Sequence, residues 1–216
     1  AGVAQMVFGD LGSATVTVFD GGRLSGGEAW LGNRVGGNGA VEVTGTNSQW
    51  QSTILKVGTN GTGSFLVDDG ANALVTGSID LAMTSTSRGT ITVGQNATLA
   101  VGDSGSSQVA ITAGTGQGLF ELAGGTLRAN TWLNLDSAVL VSADSTVEVT
   151  SNLMASRAFS GSGALRKTGA GTLMLGADST WSGGLYVDQG TLSVGTSKAL
   201  GTGTLRMADG TSLGLG

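Results

Sequence analysis

The stretch Gly163-Ala-Leu-Arg-Lys-Thr-Gly-Ala-Gly-Thr-Leu-Met-Leu-Gly-Ala-Asp-Ser-Thr-Trp-Ser-Gly-Gly-Leu-Tyr-Val-Asp-Gln-Gly-Thr-Leu-Ser-Val194 says one short phrase three times. The copies are Gly163-Ala-Leu165, Gly171-Thr-Leu173-Met-Leu175 and Gly190-Thr-Leu192-Ser-Val194. Each is a glycine followed by apolar side chains at alternate positions. Alternation puts those side chains on one face of a strand, and the glycine marks the turn that feeds it. Strands so short cannot each bury a face alone, so they must stack on copies of themselves.

The same phrase runs upstream. Gly12-Ser-Ala-Thr-Val-Thr-Val18, Gly39-Ala-Val-Glu-Val43, Gly63-Ser-Phe-Leu-Val67, Gly89-Thr-Ile-Thr-Val93 and Gly118-Leu-Phe-Glu-Leu122 are five further copies, their glycines 27, 24, 26 and 29 positions apart. A second strand follows in most copies (Trp30–Gly32, Leu55–Gly58, Ile79–Ala82, Val109–Ile111, Leu133–Leu135), and a shorter third lies between them (Gly22–Leu24, Ala73–Val75, Gly125–Leu127). Three strands per repeat of about 25 residues predict an all-β fold, a right-handed parallel β-helix. Eight or nine coils at about 4.8 Å per coil give a rod of roughly 40 Å. A β-sandwich predicts strands every 8–12 residues without this longer period. Residues 136–162 lose the glycine marker and read as a diverged coil rather than a long loop. Before Gly12 the lead-in has apolar Val3, Met6 and Phe8 in no clear register.

Leu165-x-Lys167-x-Gly169-x-Gly171-Thr-Leu173-x-Leu175, then Trp181-Ser-Gly183-Gly184, then Val187-x-x-Gly190-Thr-Leu192-x-Val194, resembles the passenger-associated transport repeat of bacterial autotransporters. Lys198-Ala-Leu-Gly201-Thr-Gly203-Thr-Leu205 resembles the family's continuation, while Trp181 and Leu185 depart from its usual tyrosine and threonine. The resemblance implies one β-helix segment over 1–216 with the repeat at 163–194, cut from a longer passenger. It implies export through a C-terminal β-barrel translocator outside this chain and a cell-surface or secreted location. It also implies a role for the motif in secretion and folding, and an adhesin or virulence function on host cells. The expected partner is a host cell-surface or matrix protein or glycan, with self-association along the rod a further expectation. A structural spine presenting a distal domain is the second reading, and a carbohydrate-active enzyme the third.

Composition agrees with the fold. The 216 residues include 40 Gly and no Pro, Cys or His, with 39% hydrophobic residues. So many apolar residues do not suit Gly-rich disorder. Absence of proline suits interior strands whose N–H groups must all donate to neighbours. Without cysteine there is neither a disulfide framework nor a thiol nucleophile. The net charge of −5 argues against nucleic acid and anionic membranes as main partners. No apolar run is long enough for a membrane-spanning helix. The opening Ala1-Gly-Val-Ala-Gln lacks the basic start of a signal peptide, so the targeting signal is expected elsewhere in a precursor.

Candidate chemistry reads weakly beside simpler alternatives. Gly210-Thr-Ser212-Leu-Gly214 has the letters of a nucleophile elbow but no histidine base and no helix to follow. Gly36-Gly-Asn-Gly39 resembles a calcium nonapeptide, yet Val41 stands where an oxygen ligand is needed. Asp68, Asp69 and Asp80 could suggest paired carboxylates of a polysaccharide-cleaving enzyme, but Asp68-Asp69-Gly70 reads as a turn. The expectation is therefore no catalytic residue, no metal and no cofactor. For each tryptophan, stacking inside the coils is the simpler reading. Where exposed, Trp30, Trp50 and Trp132, with Arg157, are the candidate partner contacts. Arg157, Arg166 and Lys167 read as one small basic cluster on a solvated face.

Overall fold

A computed structural model describes residues 5–103, 105 and 108–215. Ala1–Ala4, including Val3 of the lead-in, and Gly216 lie outside the described residues. Every strand pairing in the described residues is parallel, and each strand pairs with its equivalents one coil before and one coil after. The result is an all-β parallel solenoid of about nine turns, with no helix among the described residues.

The strands form three sheets of ten, seven and nine strands that run along the rod. The phrase introduced by Gly12, Gly39, Gly63, Gly89 and Gly118 builds the seven-strand sheet, through Ser13–Val18, Asn38–Thr44, Thr62–Asp68, Arg88–Val93 and Gln117–Ala123. The second expected strand builds the ten-strand sheet and the third the nine-strand sheet. Residues 136–162 form a diverged coil, with strands Val139–Ala143, Ser145–Val149, Asn152–Ala155 and Phe159–Gly161 in register with their neighbours.

Inward side chains stack in columns. On the ten-strand sheet one column is Met6, Ala29, Leu55, Ile79, Ile111, Leu135, Ala155, Leu175, Val194 and Leu215. The members from Ala29 to Leu175 are buried. Each aliphatic side chain of this size contributes about 1.5–3 kcal/mol when fully buried, so the columns together make one continuous core. All eight of the strand-phrase glycines were expected to supply turns; Gly63 shows a different reason. It lies inside the strand Thr62–Asp68, where a Cβ would overlap the Leu31 carbonyl oxygen and the Gly58 backbone nitrogen of the neighbouring sheet. The sheets meet at this corner backbone to backbone, which only glycine allows. Gly58 itself, at φ +72°, turns the chain out of the preceding strand.

The coil is not constant. Along the ten-strand column, members are 23, 26, 24, 32 and 24 residues apart as far as Leu135, then 20, 20, 19 and 21. The nine-strand column Leu24, Trp50, Ala73, Leu99, Leu127, Val147, Lys167, Val187 and Met207 steps by 26, 23, 26 and 28, then by 20 four times. The 25-residue period expected from the glycine phrases therefore describes the first half only. Beyond Leu127 the turns are pared to the minimum, as where Asp144 alone links Val139–Ala143 to Ser145–Val149.

Trp50 requires a correction. It occupies that inward column on the strand Gln49–Ser52, is 1% exposed, and packs edge-on against Phe65 at 5.3 Å. Its indole N–H donates to Ser52 Oγ at 3.2 Å, so the polar tip is satisfied inside. A surface partner cannot reach it.

Candidate functional site

Residues 163–194 supply parts of three successive short coils, and nearly every motif position serves packing. Leu165, Leu173, Leu175, Leu185, Val187 and Leu192 are buried, and Val194 packs on the same core. Trp181 lies beyond the last strand of the seven-strand sheet and closes that side of the coil. Its ring is 6.1 Å from Phe159, and its indole N–H donates to the Gly163 carbonyl at 2.8 Å. Gly169, Gly171, Gly183 and Gly190 sit where a Cβ would overlap carbonyl oxygens of the adjacent coil, and Gly184 takes φ +90°. The motif is thus a recipe for stacking tight coils, with its apolar side chains turned into the core.

Lys167 is the exception in chemistry. It stands in the inward column between Val147 and Val187 and is fully buried. Its Nζ donates to the carbonyl oxygens of Gly169 at 2.7 Å, Gln189 at 2.8 Å and Thr168 at 3.3 Å. Gln189 Oε1 in turn accepts from the Gly169 N–H at 3.1 Å. The ammonium therefore fastens the corner turns of two neighbouring coils. Burial away from water lowers its pKa from 10.5 to about 8.

The expected basic cluster does not exist, because the strand Leu165–Thr168 sends adjacent residues to opposite faces. Lys167 points in, Arg166 points out to an ion pair with Asp188, and Arg157 pairs with Asp136 at 2.6 Å next to a different sheet. The Arg157 hydrogen bond holds the Asp136 carboxyl below its ordinary pKa. Three candidate contacts do share one side of the rod. Trp30 and Trp132 are on strands of the ten-strand sheet, and Arg157 reaches the last residue of the strand Trp132–Asp136. Trp132 is 40% exposed. Trp30 is half-buried, donates from its indole to Glu28 at 3.0 Å, and lies under Lys56 Nζ, 4.4 Å from the ring centroid. Asp80 is next to Lys56 in this ladder; burial pushes its carboxyl pKa up, with Lys56 opposing.

The other motif residues fall in solenoid turns and strands. Asp69 and Gly70 make a left-handed turn at φ 52° and 79° after the strand Thr62–Asp68. Asp80 projects from a different sheet, so the three carboxylates form no pair across a cleft. Gly210 is a turn residue leading into the strand Ser212–Leu215.

Of the outer positions of the nine-strand sheet, sequence reading singled out Arg166 alone, as part of the basic cluster. There Tyr186 stands between Arg166 and Arg206, whose guanidinium carbons are 6.0 and 5.8 Å from its ring centroid. The available signal was the alternation itself: once Leu165, Lys167, Leu185 and Val187 point in, Arg166 and Tyr186 must point out.

A parallel β-solenoid with tight, motif-built coils defines a class of rod-like proteins built by stacking one coil on the next. A family model described as the passenger-associated transport repeat matches residues 165–194, and this match with the solenoid fits an autotransporter passenger domain. Neither a curated protein nor a solved structure matches the chain.

Proposed function

We propose that the chain is a surface-displayed or secreted passenger segment that adheres to host cells, and that its 20-residue coils help it fold during export. The match at 165–194 inside an unbroken solenoid carries this reading. Family membership of the repeat supports secretion or surface display. Each coil hydrogen-bonds to the last, so a folded coil is a template for the next, and the tightest coils are the best template. The rod acts by binding rather than by catalysis, and its export partner is a β-barrel translocator beyond this chain. A bare spine that presents another domain is the alternative.

The experiment is surface display of the full precursor carrying Gly171→Pro or Leu173→Asp. Proline removes the N–H that Gly171 donates to Val149 O at 2.9 Å, and aspartate places a carboxylate in the core. Both variants are expected to lower surface yield, and normal yield from both would refute the export role. Saturable binding of the purified chain to cultured host cells tests the adhesin role, and its absence would leave the spine.

A further inference from the structure

We infer that the outer surface of the nine-strand sheet binds an extended acidic polysaccharide of the host-cell surface, laid along the rod axis. This deepens the adhesin reading and rests on it.

Charge is the first observation. The chain is net negative, yet Arg23, Arg128, Arg166 and Arg206, four of its seven arginines, project from the outer face of this one sheet. The strands of the sheet offer one outward carboxylate, Glu148, which pairs with Arg128 at 2.7 Å; Asp188, just past a strand end, pairs with Arg166. A basic stripe on an acidic protein favours a polyanion at this face over the others.

Spacing is the second. Register places Arg166, Tyr186 and Arg206 in one outward column on consecutive coils. Tyr186 lies between the two guanidinium groups and holds them two strand spacings apart, about 9.6 Å. One strand spacing is close to the length of one sugar ring in an extended chain. Acidic groups on two alternate sugars of a polysaccharide therefore meet Arg166 and Arg206, and the column between Arg166 and Arg23 offers the hydroxyls and amides of Thr146, Thr126, Thr98, Asn72 and Gln49. Guanidinium binds carboxylate or sulfate through paired N–H donors.

Hydroxyl recognition is the third. The same outward column begins at Arg23, Gln49 and Asn72. Here the sheet forms an open groove of about 460 Å³ that runs across consecutive coils, with Arg23 towards one end and Arg128 towards the other. The small outward side chain of Ala100 leaves it room, and the amides of Gln49, Gln51 and Asn72 line it. Each amide both donates and accepts, as a row of sugar hydroxyls requires. Trp50 points inward, so the groove lacks the stacking platform a nucleic acid strand would need.

The test uses the full chain, with heparin as the acidic probe and dextran as the neutral one, in binding titrations at two salt concentrations. Heparin binding that weakens with salt is expected, with none to dextran. Arg166→Gln with Arg206→Gln, and separately Arg23→Gln with Arg128→Gln, should each weaken it by about tenfold or more. Circular dichroism should be unchanged and the melting temperature should move only slightly, since these side chains are outside the core and their ion pairs are exposed. No heparin binding by the folded chain, or binding that both double variants retain, overturns the inference. Host-cell binding is measured in parallel, with and without enzymatic removal of acidic glycans. Cell binding that survives this removal overturns the inference and keeps the adhesin. Heparin binding without cell binding keeps the site and overturns the adhesin reading.

Discussion

The two halves of the rod solve the same packing problem with different amounts of chain. Up to about Leu127 a coil takes 23–32 residues; beyond it a coil takes 19–21. The early coils can afford side chains in left-handed turns: Asp20, Asn47, Asp69, Ala82 and Asn96 all have positive φ. In the later coils every positive-φ residue described is glycine, from Gly161 to Gly210. Aromatic packing differs as well. Trp50 fills the early core from within a sheet, packed against Phe65, whereas Trp181 caps the side of the late core where the seven-strand sheet has ended. A shorter coil leaves less room for irregular turns, so its left-handed positions fall to glycine alone, where the early coils use glycine and turn side chains together. The transport repeat lies wholly within this economical half.

If the halves are separate stacking units, damaging one should spare the other. Trp50→Ala and Trp181→Ala each remove a fully buried indole and should cost about 3–5 kcal/mol. Because coils touch mainly their neighbours, the loss should be local. Limited proteolysis with mass mapping is expected to open the early coils in Trp50→Ala and the late coils in Trp181→Ala. Identical cleavage patterns in the two variants would make the rod one cooperative unit and erase the distinction.

Much of this architecture was legible in the sequence, and the parts that were not share a cause. All three faces followed from glycine-marked alternation, because Val, Ile, Leu and Phe at alternate positions leave few other options. The strand Gln49–Ser52 escaped because its inward pair is Trp50 and Ser52 among glutamines, which does not look apolar. Its signal was positional: Trp50 stands 26 residues after Leu24 and 23 before Ala73. Lys167 escaped for the same reason, since a lysine in an inward slot resembles a break in the pattern. The slots before and after it, Val147 and Val187, show that the pattern continues through it. The candidate contacts were harder to sort, because a tryptophan carries no mark of the face it will take.

Lys167 gives the next contrast, since it is the buried charged side chain of the late half and the early half has no counterpart among the described residues. Its pKa is about 8 when folded and near 10.5 when exposed on unfolding. Between those values the unfolded chain holds more protons, so stability rises with pH across that window and is flat below it. In Lys167→Met the rise from this group disappears. Melting temperatures at pH 7 and pH 10 should therefore show the wild type gaining on the variant at the higher pH. A gap that does not change with pH would mean the ammonium is not desolvated.

The smallest effect sharpens the comparison at the surface. Three of the four ion pairs among the described residues join neighbouring coils of the late half: Arg128–Glu148, Arg157–Asp136 and Arg166–Asp188. The early half has Arg34–Asp10. It would be natural to credit these pairs with holding the short coils together. Their exposure argues otherwise. The Arg128 and Glu148 side chains are 43% and 31% exposed, so water and salt screen the attraction. Arg128→Gln should cost about 0–1 kcal/mol, less than either tryptophan change by a clear margin. Denaturant melts of this variant in low and high salt check the point, with any difference shrinking as salt rises. A loss of several kcal/mol that salt does not reduce would move the origin of the late coils' stability from glycine-tight backbone packing to their charged surface.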